Sequence, residues 1–260
     1  MSRPFKTLIA AIAACAPLAI PVASAAGCDV HSGAATAALV ELYTSEGCSS
    51  CPPADERLGH LRTLLPPDSQ AIALALHVGY WDYLGWNDPY AQDVFAQRQE
   101  WLVHINRHSA VYTPHFFVSG TELDLAPASL ARAVSKVNAV PAAAGIGLQA
   151  SLVNGALALR ADATTADRAR PAALYLAVTE NALTSKVARG ENGGATLHHD
   201  HLVRAWAGPI ALSAGALHVE REIVLPASWK RAQLDVVAFV QDPQTGEVLQ
   251  AVNAAGCIRS

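Results

Sequence analysis

The amino-acid sequence is poor in charge and contains no run of basic residues. Only 15% of its 260 residues are Asp, Glu, Lys or Arg, whereas 52% are hydrophobic. A chain of this composition buries a core rather than remaining disordered, and its length allows one or two domains. The 18 Lys and Arg residues are outnumbered by 22 Asp and Glu residues, which gives a net charge of −4. This charge pattern argues against nucleic acid as a partner.

Periodic glycine and long apolar runs are also missing from most of the sequence. The 17 glycines and 15 prolines are scattered without a period, which excludes collagen-like and low-complexity proteins. After residue 26 no apolar run is long enough to span a membrane. We therefore expect a mature protein that is soluble and has a large hydrophobic core.

The first 26 residues have the pattern of a secretory signal peptide. Basic Arg3 and Lys6 are followed by an apolar run and by a small-residue Ala-Ser-Ala sequence, which is typical of a segment removed on export. The sequence thus predicts a periplasmic or secreted protein without a membrane span after cleavage. A lipid anchor at Cys15 or Cys28 is the alternative, because small residues precede both cysteines.

Four of the five cysteines remain after removal of the signal peptide. An exported protein meets an oxidising environment, and an even number of cysteines then suggests two disulfides. Cys48 and Cys51 form a CxxC pair. From parity alone we predict that Cys28 and Cys257, near the two ends of the mature chain, form a structural disulfide.

The first half of the mature chain alternates strand and helix patterns. The predicted elements are a strand at 38–43, a helix after Pro52-Pro53, a strand at 71–78, a helix at 87–109, a strand at 115–119 and a helix at 127–137. A strand, a helix and a second apolar strand within about forty residues form a βαβ unit with a parallel sheet. Prolines suit the first turn of its helix, where backbone N–H groups have no partner.

From about residue 143 the pattern changes to short strands separated by turns. Seven candidate strands are predicted, at 145–152, 156–161, 172–178, 201–206, 217–224, 234–240 and 248–252. Many short strands with turn residues between them are typical of an antiparallel β-sandwich. We therefore predict a smaller, sandwich-like domain at 141–260, joined through an Ala- and Pro-rich linker.

A CxxC pair between a strand and a helix has a specific chemical use. Unpaired backbone amides and the helix dipole stabilise a thiolate at Cys48, and Cys51 lies one turn along. We predict that Cys48 attacks a partner's disulfide or receives a mixed disulfide, which Cys51 resolves. Zinc sites use the same spacing, but they usually need a second CxxC or a Cys/His pair, and the sequence has no second CxxC.

Thr113 and Pro114 precede the predicted strand at 115–119. A cis Thr113–Pro114 bond would present backbone beside the cysteines, and cis bonds are essentially confined to X–Pro. A βαβ unit with CxxC at its helix start, followed by Thr-Pro before a third strand, resembles the thioredoxin fold. The resemblance implies an α+β protein with a thioredoxin-like α/β domain at 27–140 before the sandwich-like domain.

Longer segments around these motifs are similar to one bacterial family. They are VELYTSEGCSSCPPAD at 40–55, HVGYWDYLGW at 77–86, VYTP at 111–114, and RGENGG at 189–194 with HDH at 199–201. Over most of residues 38–252 the sequence resembles the exported thioredoxin-like family known as domain of unknown function 1223. The resemblance implies a thioredoxin-like domain followed by a β-rich domain, with no settled substrate. Gly79 replaces the acidic residue expected there, and Gly47 stands where thioredoxins carry tryptophan, which argues against ordinary thioredoxin reductase as a partner.

Two further side chains are candidates for the chemistry of the cysteines. Glu41 interrupts an apolar strand seven residues before Cys48. It is either a buried carboxylate that takes and returns the proton of Cys51 or a solvated side chain at the strand end. His115 follows Pro114 directly, and with both cysteines it would form a soft site for Cu(I) or zinc. A histidine that points away from the cysteines is the simpler interpretation.

Aromatic and histidine-rich segments have two interpretations each. Trp81, Tyr83 and Trp86 are candidates for lining a substrate groove near Cys48, although aromatic residues more often cover a core. The His-His-Asp-His sequence at 198–201 contains metal-binding residue types, but on a strand it would offer only two ligands per face. It therefore does not predict a metal site.

The sequence as a whole favours thiol–disulfide exchange. The expected partner is a thiol- or disulfide-bearing protein or a small thiol, and this chemistry requires no cofactor. One alternative is a metal-binding protein or metallochaperone that uses Cys48, Cys51 and His115. Another is a non-catalytic binding module in which Cys48–Cys51 is a structural disulfide.

Overall fold

A computed structural model of the chain describes residues 27–123, 128–256 and 258. The predicted signal peptide, residues 1–26 with Cys15, lies outside the described residues. Cys257 also lies outside them, so the Cys28–Cys257 disulfide stays a prediction.

The described residues form fourteen strands and four α-helices. The strands are β1 Gly27–His31, β2 Ala38–Thr44, β3 Ala71–His77, β4 His115–Val118, β5 Thr121–Glu122, β6 Ala144–Val153, β7 Ala156–Thr165, β8 Ala173–Glu180, β9 Leu183–Lys186, β10 Thr196–His199, β11 Leu202–Ala211, β12 Ala216–Val224, β13 Leu234–Gln241 and β14 Val248–Ala254. The helices are α1 Pro52–Gly59, α2 Leu61–Leu64, α3 Asp93–Ile105 and α4 Ser129–Asn138. The protein therefore belongs to the α+β class, as predicted.

The predicted βαβ unit is confirmed. Strands β2 and β3 pair in parallel from Ala38 opposite Ala71 to Thr44 opposite His77, and α1 and α2 connect them. Both strands are almost continuously apolar because side chains on both faces are buried, as in most parallel sheets. The unit places the end of β2, and with it the CxxC turn, beside the end of β3.

The helix predicted at 87–109 is shorter than expected and extends from Asp93 to Ile105. Its start is displaced because the Asp88 carboxylate accepts hydrogen bonds from the backbone of Glu46 and Tyr90, which holds the preceding segment in a loop. Its end coincides with a change of backbone conformation, since Arg107 adopts a φ of 61°.

Strands from both halves of the chain share one sheet of eight strands. Its order is β14-β13-β8-β11-β3-β2-β4-β5. Leu202 of β11 pairs in parallel with Ala75 of β3, and this pairing joins the two halves. Segments before and after the predicted domain boundary at residue 140 therefore contribute strands to the same sheet. Strand patterns identify strands but do not specify which distant strand becomes the neighbour.

All seven strands predicted in the second half form, and they divide between two sheets. Four of them, β8, β11, β13 and β14, belong to the eight-stranded sheet. The other three join β1 in an antiparallel sheet of order β1-β6-β7-β12. Its β6–β7 hairpin turns at Asn154 and Gly155, whose φ values of 52° and 85° suit the tight turn that joins twisted strands.

Apolar side chains cover both faces of the large sheet. One face packs against α3 through a core that includes Tyr43, Phe95 and Phe117. The opposite face packs against α1, α2 and α4 at the β2–β4 end and against the antiparallel sheet at the β8–β14 end. The CxxC turn thus lies beyond the carboxyl ends of β2 and β3, next to the helix layer that contains α1.

Candidate functional site

The CxxC motif closes a disulfide at the start of α1. Strand β2 ends at Thr44, and Cys51 is the N-cap of the helix, followed directly by two prolines. The Cys48–Cys51 disulfide has a Cα–Cα distance of 5.4 Å. Cys48 is 1% exposed and Cys51 is 0% exposed, whereas the two serines between them lie at the surface. The disulfide is therefore buried beneath an exposed turn.

The structure places the backbone of Thr113 next to Cys48. The Thr113–Pro114 bond is cis, and the Thr113 carbonyl oxygen lies 3.8 Å from Cys48 Sγ. The Thr113 hydroxyl accepts a 2.7 Å hydrogen bond from Trp81 Nε1. This bond fixes the segment before the proline against the aromatic loop.

The three predicted aromatic residues have different surroundings. Trp81 packs directly over Gly47, where an added Cβ would lie 2.9 Å from the Trp81 Cβ. Tyr83 is 77% exposed and stacks on Trp81 with ring centroids 6.4 Å apart. Trp86 instead donates a 2.8 Å hydrogen bond from Nε1 to Glu46 Oε2. Trp81 and Tyr83 therefore border the cysteine turn, and Trp86 supports it from behind.

Glu41 is fully buried, but an ion pair occupies its carboxylate. Arg98 Nε donates to Oε1 at 2.6 Å and Arg98 Nη2 donates to Oε2 at 3.1 Å. The guanidinium lies 5.0–5.5 Å from the centroids of four aromatic rings, those of Trp101, Tyr175, Trp206 and Phe239. Burial alone would lower the pKa of Arg98, but Glu41 together with the neighbouring Tyr43 and Tyr175 raises it. Glu41 thus neutralises a buried cation, a different task from the predicted proton transfer with Cys51.

His115 makes its contacts away from the cysteines. It is fully buried on β4, and its ring stacks on Tyr112 with centroids 4.0 Å apart. Its Nε2 lies 3.1 Å from Glu122 Oε1, close enough for an ion pair but without hydrogen-bond geometry. Burial lowers the pKa of His115 and favours its neutral form.

The alternative metal site of Cys48, Cys51 and His115 is not assembled. Within residues 27–123, 128–256 and 258, no group of three or more His, Cys, Asp and Glu side chains is placed to hold a metal ion. The two sulfur atoms are bonded to each other, and His115 Nε2 lies beside Glu122. Although His115 follows Pro114 directly in the sequence, its imidazole contacts Tyr112 and Glu122 rather than the cysteines.

A network of buried charges lies directly behind the turn. Glu46 Oε1 is 2.9 Å from His199 Nε2, and the Glu46 backbone N–H donates to Asp88 Oδ2 at 2.8 Å. The same Asp88 oxygen is 2.7 Å from His77 Nδ1. The His77 and His199 rings meet edge to face with centroids 5.0 Å apart. Two carboxylates and two imidazoles from four separate segments thus form one network.

Electrostatics in this network favour charged side chains despite burial. Burial would lower the pKa of His77, but the carboxylates of Asp88, Asp55 and Glu46 together raise it. Burial would raise the pKa of Asp88, and the His77 interaction lowers it. Burial likewise opposes ionisation of Glu46, but hydrogen bonds led by that from His199 lower its pKa. The turn is therefore supported by a buried His77–Asp88 ion pair and by the buried Glu46 carboxylate.

Asp55 behaves differently from the other carboxylates. It lies on α1, one turn after Cys51, and its backbone N–H donates to the Cys51 carbonyl at 3.1 Å. Burial raises its pKa from 3.8 to about 6, and the neighbouring His77, Thr44 and His199 oppose this effect only in part. Asp55 therefore exchanges its proton near neutral pH.

A loop from the second half of the chain is attached to the cysteine turn. Asn192 Nδ2 donates to the carbonyl oxygens of Glu46 and Cys48 at 2.9 and 3.0 Å. Glu191 Oε2 accepts a 2.9 Å hydrogen bond from the Ser49 backbone N–H. The loop between β9 and β10 therefore helps to hold the conformation of the disulfide.

Sequence reasoning missed most of this supporting network. One signal was present, because Thr44 and His77 are polar residues that end two adjacent apolar strands and so meet at one edge of the sheet. No local pattern marks His199 or Asn192 as neighbours of a turn more than 140 positions earlier. Asp55 has the ordinary appearance of an acidic residue in the first turn of a helix.

Fold and site together define an α+β protein with a CxxC disulfide at the start of a helix on a mixed sheet. The chain belongs to the family of proteins of unknown function DUF1223, whose model matches residues 39–241. This match confirms the family predicted from the motif segments. No curated protein matches the sequence.

Two solved structures share the fold at low sequence identity. Protein AGR_C_4864 from Agrobacterium tumefaciens is 23% identical, with a TM-score of 0.59, covering 85% of this chain and 95% of that one. HBP35 of Porphyromonas gingivalis is 18% identical, with a TM-score of 0.65, covering 85% of this chain and 76% of that one. Among the described residues, no helix has the length and apolar character needed to cross a membrane.

Proposed function

We propose that the protein is an exported thiol–disulfide oxidoreductase with a thioredoxin-like catalytic unit. One observation carries the proposal: the Cys48–Cys51 disulfide lies at the start of α1, with the Thr113 carbonyl oxygen 3.8 Å from Cys48 Sγ. The order of elements supports it, since the parallel pair β2 and β3 is extended by β4 and β5 in antiparallel pairing. A periplasmic or secreted location is part of this proposal.

Cys48 is the sulfur that exchanges with a partner. A partner thiolate attacks Cys48 Sγ, the Cys48–Cys51 bond breaks, and Cys51 leaves as a thiolate that takes up a proton. A second partner thiolate then attacks the partner sulfur of the mixed disulfide and releases Cys48 as a thiolate. The partner dithiol is oxidised and the protein disulfide is reduced by the same two electrons. The positive end of the α1 dipole favours the Cys48 thiolate.

The surroundings of Cys48 suit a thiol-bearing protein or a small thiol as partner. Trp81 and the exposed Tyr83 provide an aromatic border beside the turn. The Thr113 backbone, held by Trp81, provides a polar group next to the reacting sulfur. A partner segment bound here would contact both surfaces while its sulfur meets Cys48.

The reduction potential and the Cys48 pKa test the proposal. Alkylation of residues 27–260 across glutathione buffers and across pH measures both quantities, with Cys48→Ser and Cys51→Ser as controls. We expect a Cys48 pKa below the ~8.5 of a free thiol and a potential between about −270 and −120 mV. An unshifted thiol, or no mixed disulfide with glutathione on Cys51→Ser, would contradict the proposal.

The burial of the disulfide favours a second candidate, a binding module with a structural Cys48–Cys51 bond. Cys48 and Cys51 are 1% and 0% exposed, so a partner must displace covering side chains to reach either sulfur. A structural disulfide resists reduction, with a potential below about −300 mV. The same measurement therefore separates the two candidates.

A further inference from the structure

Four buried polar atoms behind the cysteine turn lack a partner. They are Thr44 Oγ1, Asp55 Oδ1, His77 Nε2 and His199 Nδ1, and none has a hydrogen-bond partner among the described residues. Leaving a buried polar atom unpaired costs about 1–3 kcal/mol, so four in one place require an explanation. We call these four residues the polar cluster.

The four atoms belong to one site. Thr44 and His77 are paired across the ends of β2 and β3. The His77 and His199 rings are in edge-to-face contact at 5.0 Å. Both imidazoles and the Thr44 hydroxyl lie near Asp55 and lower its pKa, the hydroxyl as a hydrogen-bonding group without close hydrogen-bond geometry. Four elements, β2, α1, β3 and β10, therefore each contribute one unpaired atom to the same region.

Each histidine of the polar cluster is held in a fixed orientation. His77 Nδ1 is bound to Asp88 and His199 Nε2 is bound to Glu46, which leaves the other ring nitrogen of each free. When one ring nitrogen is paired with a carboxylate, the imidazole ring is restricted in its rotation and in its tautomer. The free nitrogens are therefore available to exchange protons with a neighbour in the cluster.

Asp55 lies one helical turn after Cys51, within the polar cluster and next to the surface. Cys51 has helical backbone angles, and side chains four residues apart on a helix are neighbours, with Cβ atoms about 5–6 Å apart. Asp55 Oδ1 is buried, but the residue is partly exposed and lines a groove of about 460 Å³ with Pro52, His198 and Asp200. A proton on Asp55 can therefore exchange with solvent as well as with the interior.

We infer that Asp55 is the acid–base group of Cys51, and that Thr44, His77 and His199 position it and share its proton. This inference rests on the proposed thiol–disulfide exchange. When a partner thiolate attacks Cys48 Sγ and the Cys48–Cys51 bond breaks, the Asp55 carboxyl gives its proton to the departing Cys51 sulfur. In the reverse step the Asp55 carboxylate takes the proton of the Cys51 thiol as its sulfur attacks Cys48. No further oxidant or reductant takes part.

The groups that face Asp55 set the pH range of this transfer. His77 from β3, His199 from β10 and the Thr44 hydroxyl from β2 favour the carboxylate, whereas the nearby Asp88 favours the carboxyl. Burial is the largest influence and raises the pKa to about 6, near the pH at which general acids and bases work best. Glu41 is not available for this transfer because both its oxygens are bound to Arg98.

The pH dependence of disulfide reduction tests the inference. The rate at which dithiothreitol reduces the disulfide is measured in the wild type, Asp55→Asn and Asp55→Ala. The pH range is about 4.5 to about 8.5, which covers the range in which an acid–base group works. Both variants should be slower by about tenfold or more below pH 6, and the difference should shrink as pH rises and Asp55 loses its proton. Glu56→Gln, an exposed carboxylate on the same helix, should follow the wild type at every pH.

A second measurement does not depend on exchange with any partner. Carbon NMR of the Asp55 carboxyl should show one titration in the oxidised protein and a coupled titration with Cys51 in the reduced protein, which Cys51→Ser abolishes. Coupling without exchange with thiols would support the Asp55–Cys51 link and contradict the proposed function. Exchange with an unchanged pH profile in both Asp55 variants, or an uncoupled Asp55, would overturn this inference alone.

Discussion

Replacing Asp55 with asparagine should stabilise the folded protein at neutral pH. The carboxyl has a pKa of about 6 in the folded protein against an ordinary value of 3.8. The folded state therefore binds this proton more tightly than the unfolded state, and the wild type loses stability as pH rises from about 4 through about 6. The difference of about 2 pKa units corresponds to roughly 3 kcal/mol at pH 7 and roughly 1.5 kcal/mol at pH 5. An asparagine has no such proton to lose.

The assay is urea unfolding of wild type and Asp55→Asn with the disulfide intact, at several pH values from about 3 to about 8, a range that extends beyond both pKa values. The difference in unfolding free energy between the proteins reports Asp55 together with its effect on His77, whose pKa the Asp55 charge helps to raise, while the other titrating groups are shared. His77, with its raised pKa, also contributes stability that is lost at high pH, whereas Glu46 and Asp88, with lowered values, contribute stability that is lost at low pH.

The expected signature is a difference that grows with pH up to about pH 7 and then levels off. Asparagine changes the hydrogen bonds of the polar cluster by a constant amount, so the pH-dependent part carries the test. Glu56→Gln should differ from the wild type by no more than about 0.5 kcal/mol, as is usual for an exposed site. A difference for Asp55→Asn that does not change between pH 4 and 7 (roughly the interval between the two pKa values) would refute the buried-carboxyl interpretation.

Three further substitutions test other parts of the structure. Glu41→Gln leaves the buried Arg98 without its negative partner, so urea unfolding should show a loss of about 3–5 kcal/mol, and a loss below about 1 kcal/mol would contradict the ion pair. Asn192→Ala removes a donor to two carbonyl groups of the cysteine turn and should lower the free energy of unfolding by about 1–3 kcal/mol. Dithiothreitol should also reduce the disulfide faster in this variant, and an unchanged rate would show that the loop does not restrain the turn. Gly120→Ala places a Cβ 1.8 Å from the Gly246 carbonyl oxygen at a φ of 85°. Thermal unfolding should therefore show a loss of stability above about 4 kcal/mol, which is large for a single substitution, and a normal melting temperature would disprove this close approach.

Family, motif and local structure were predictable because they depend on short stretches of chain. The apolar runs that form β2 and β3, and the prolines that start α1, each act within a few residues. The same holds for the CxxC spacing, which allows the disulfide once a helix begins at Pro52. Local periodicity and turn chemistry determine such elements before any long-range contact forms.

The arrangement of the strands was less predictable. Seven strands of the second half were recognised by pattern, but the sequence did not show that four of them extend the sheet begun by β2 and β3. Backbone hydrogen bonds hold neighbouring strands together, and they are the same for every residue type except proline. They therefore do not select one strand over another as a neighbour. Side-chain patterns therefore specify a strand and its buried face more strongly than its neighbour.

The roles of individual side chains were decided by contacts between distant parts of the chain. Glu41 was the sequence candidate for proton transfer, but Arg98, 57 positions later, occupies its carboxylate. Glu46 meets His199, 153 positions later, and this pair helps to enclose Asp55 behind the turn. Whether a carboxylate forms an ion pair or holds a proton depends on burial and neighbouring charge. The sequence by itself therefore determined the disulfide and the elements around it, while the folded structure decided which acid lies behind the cysteines.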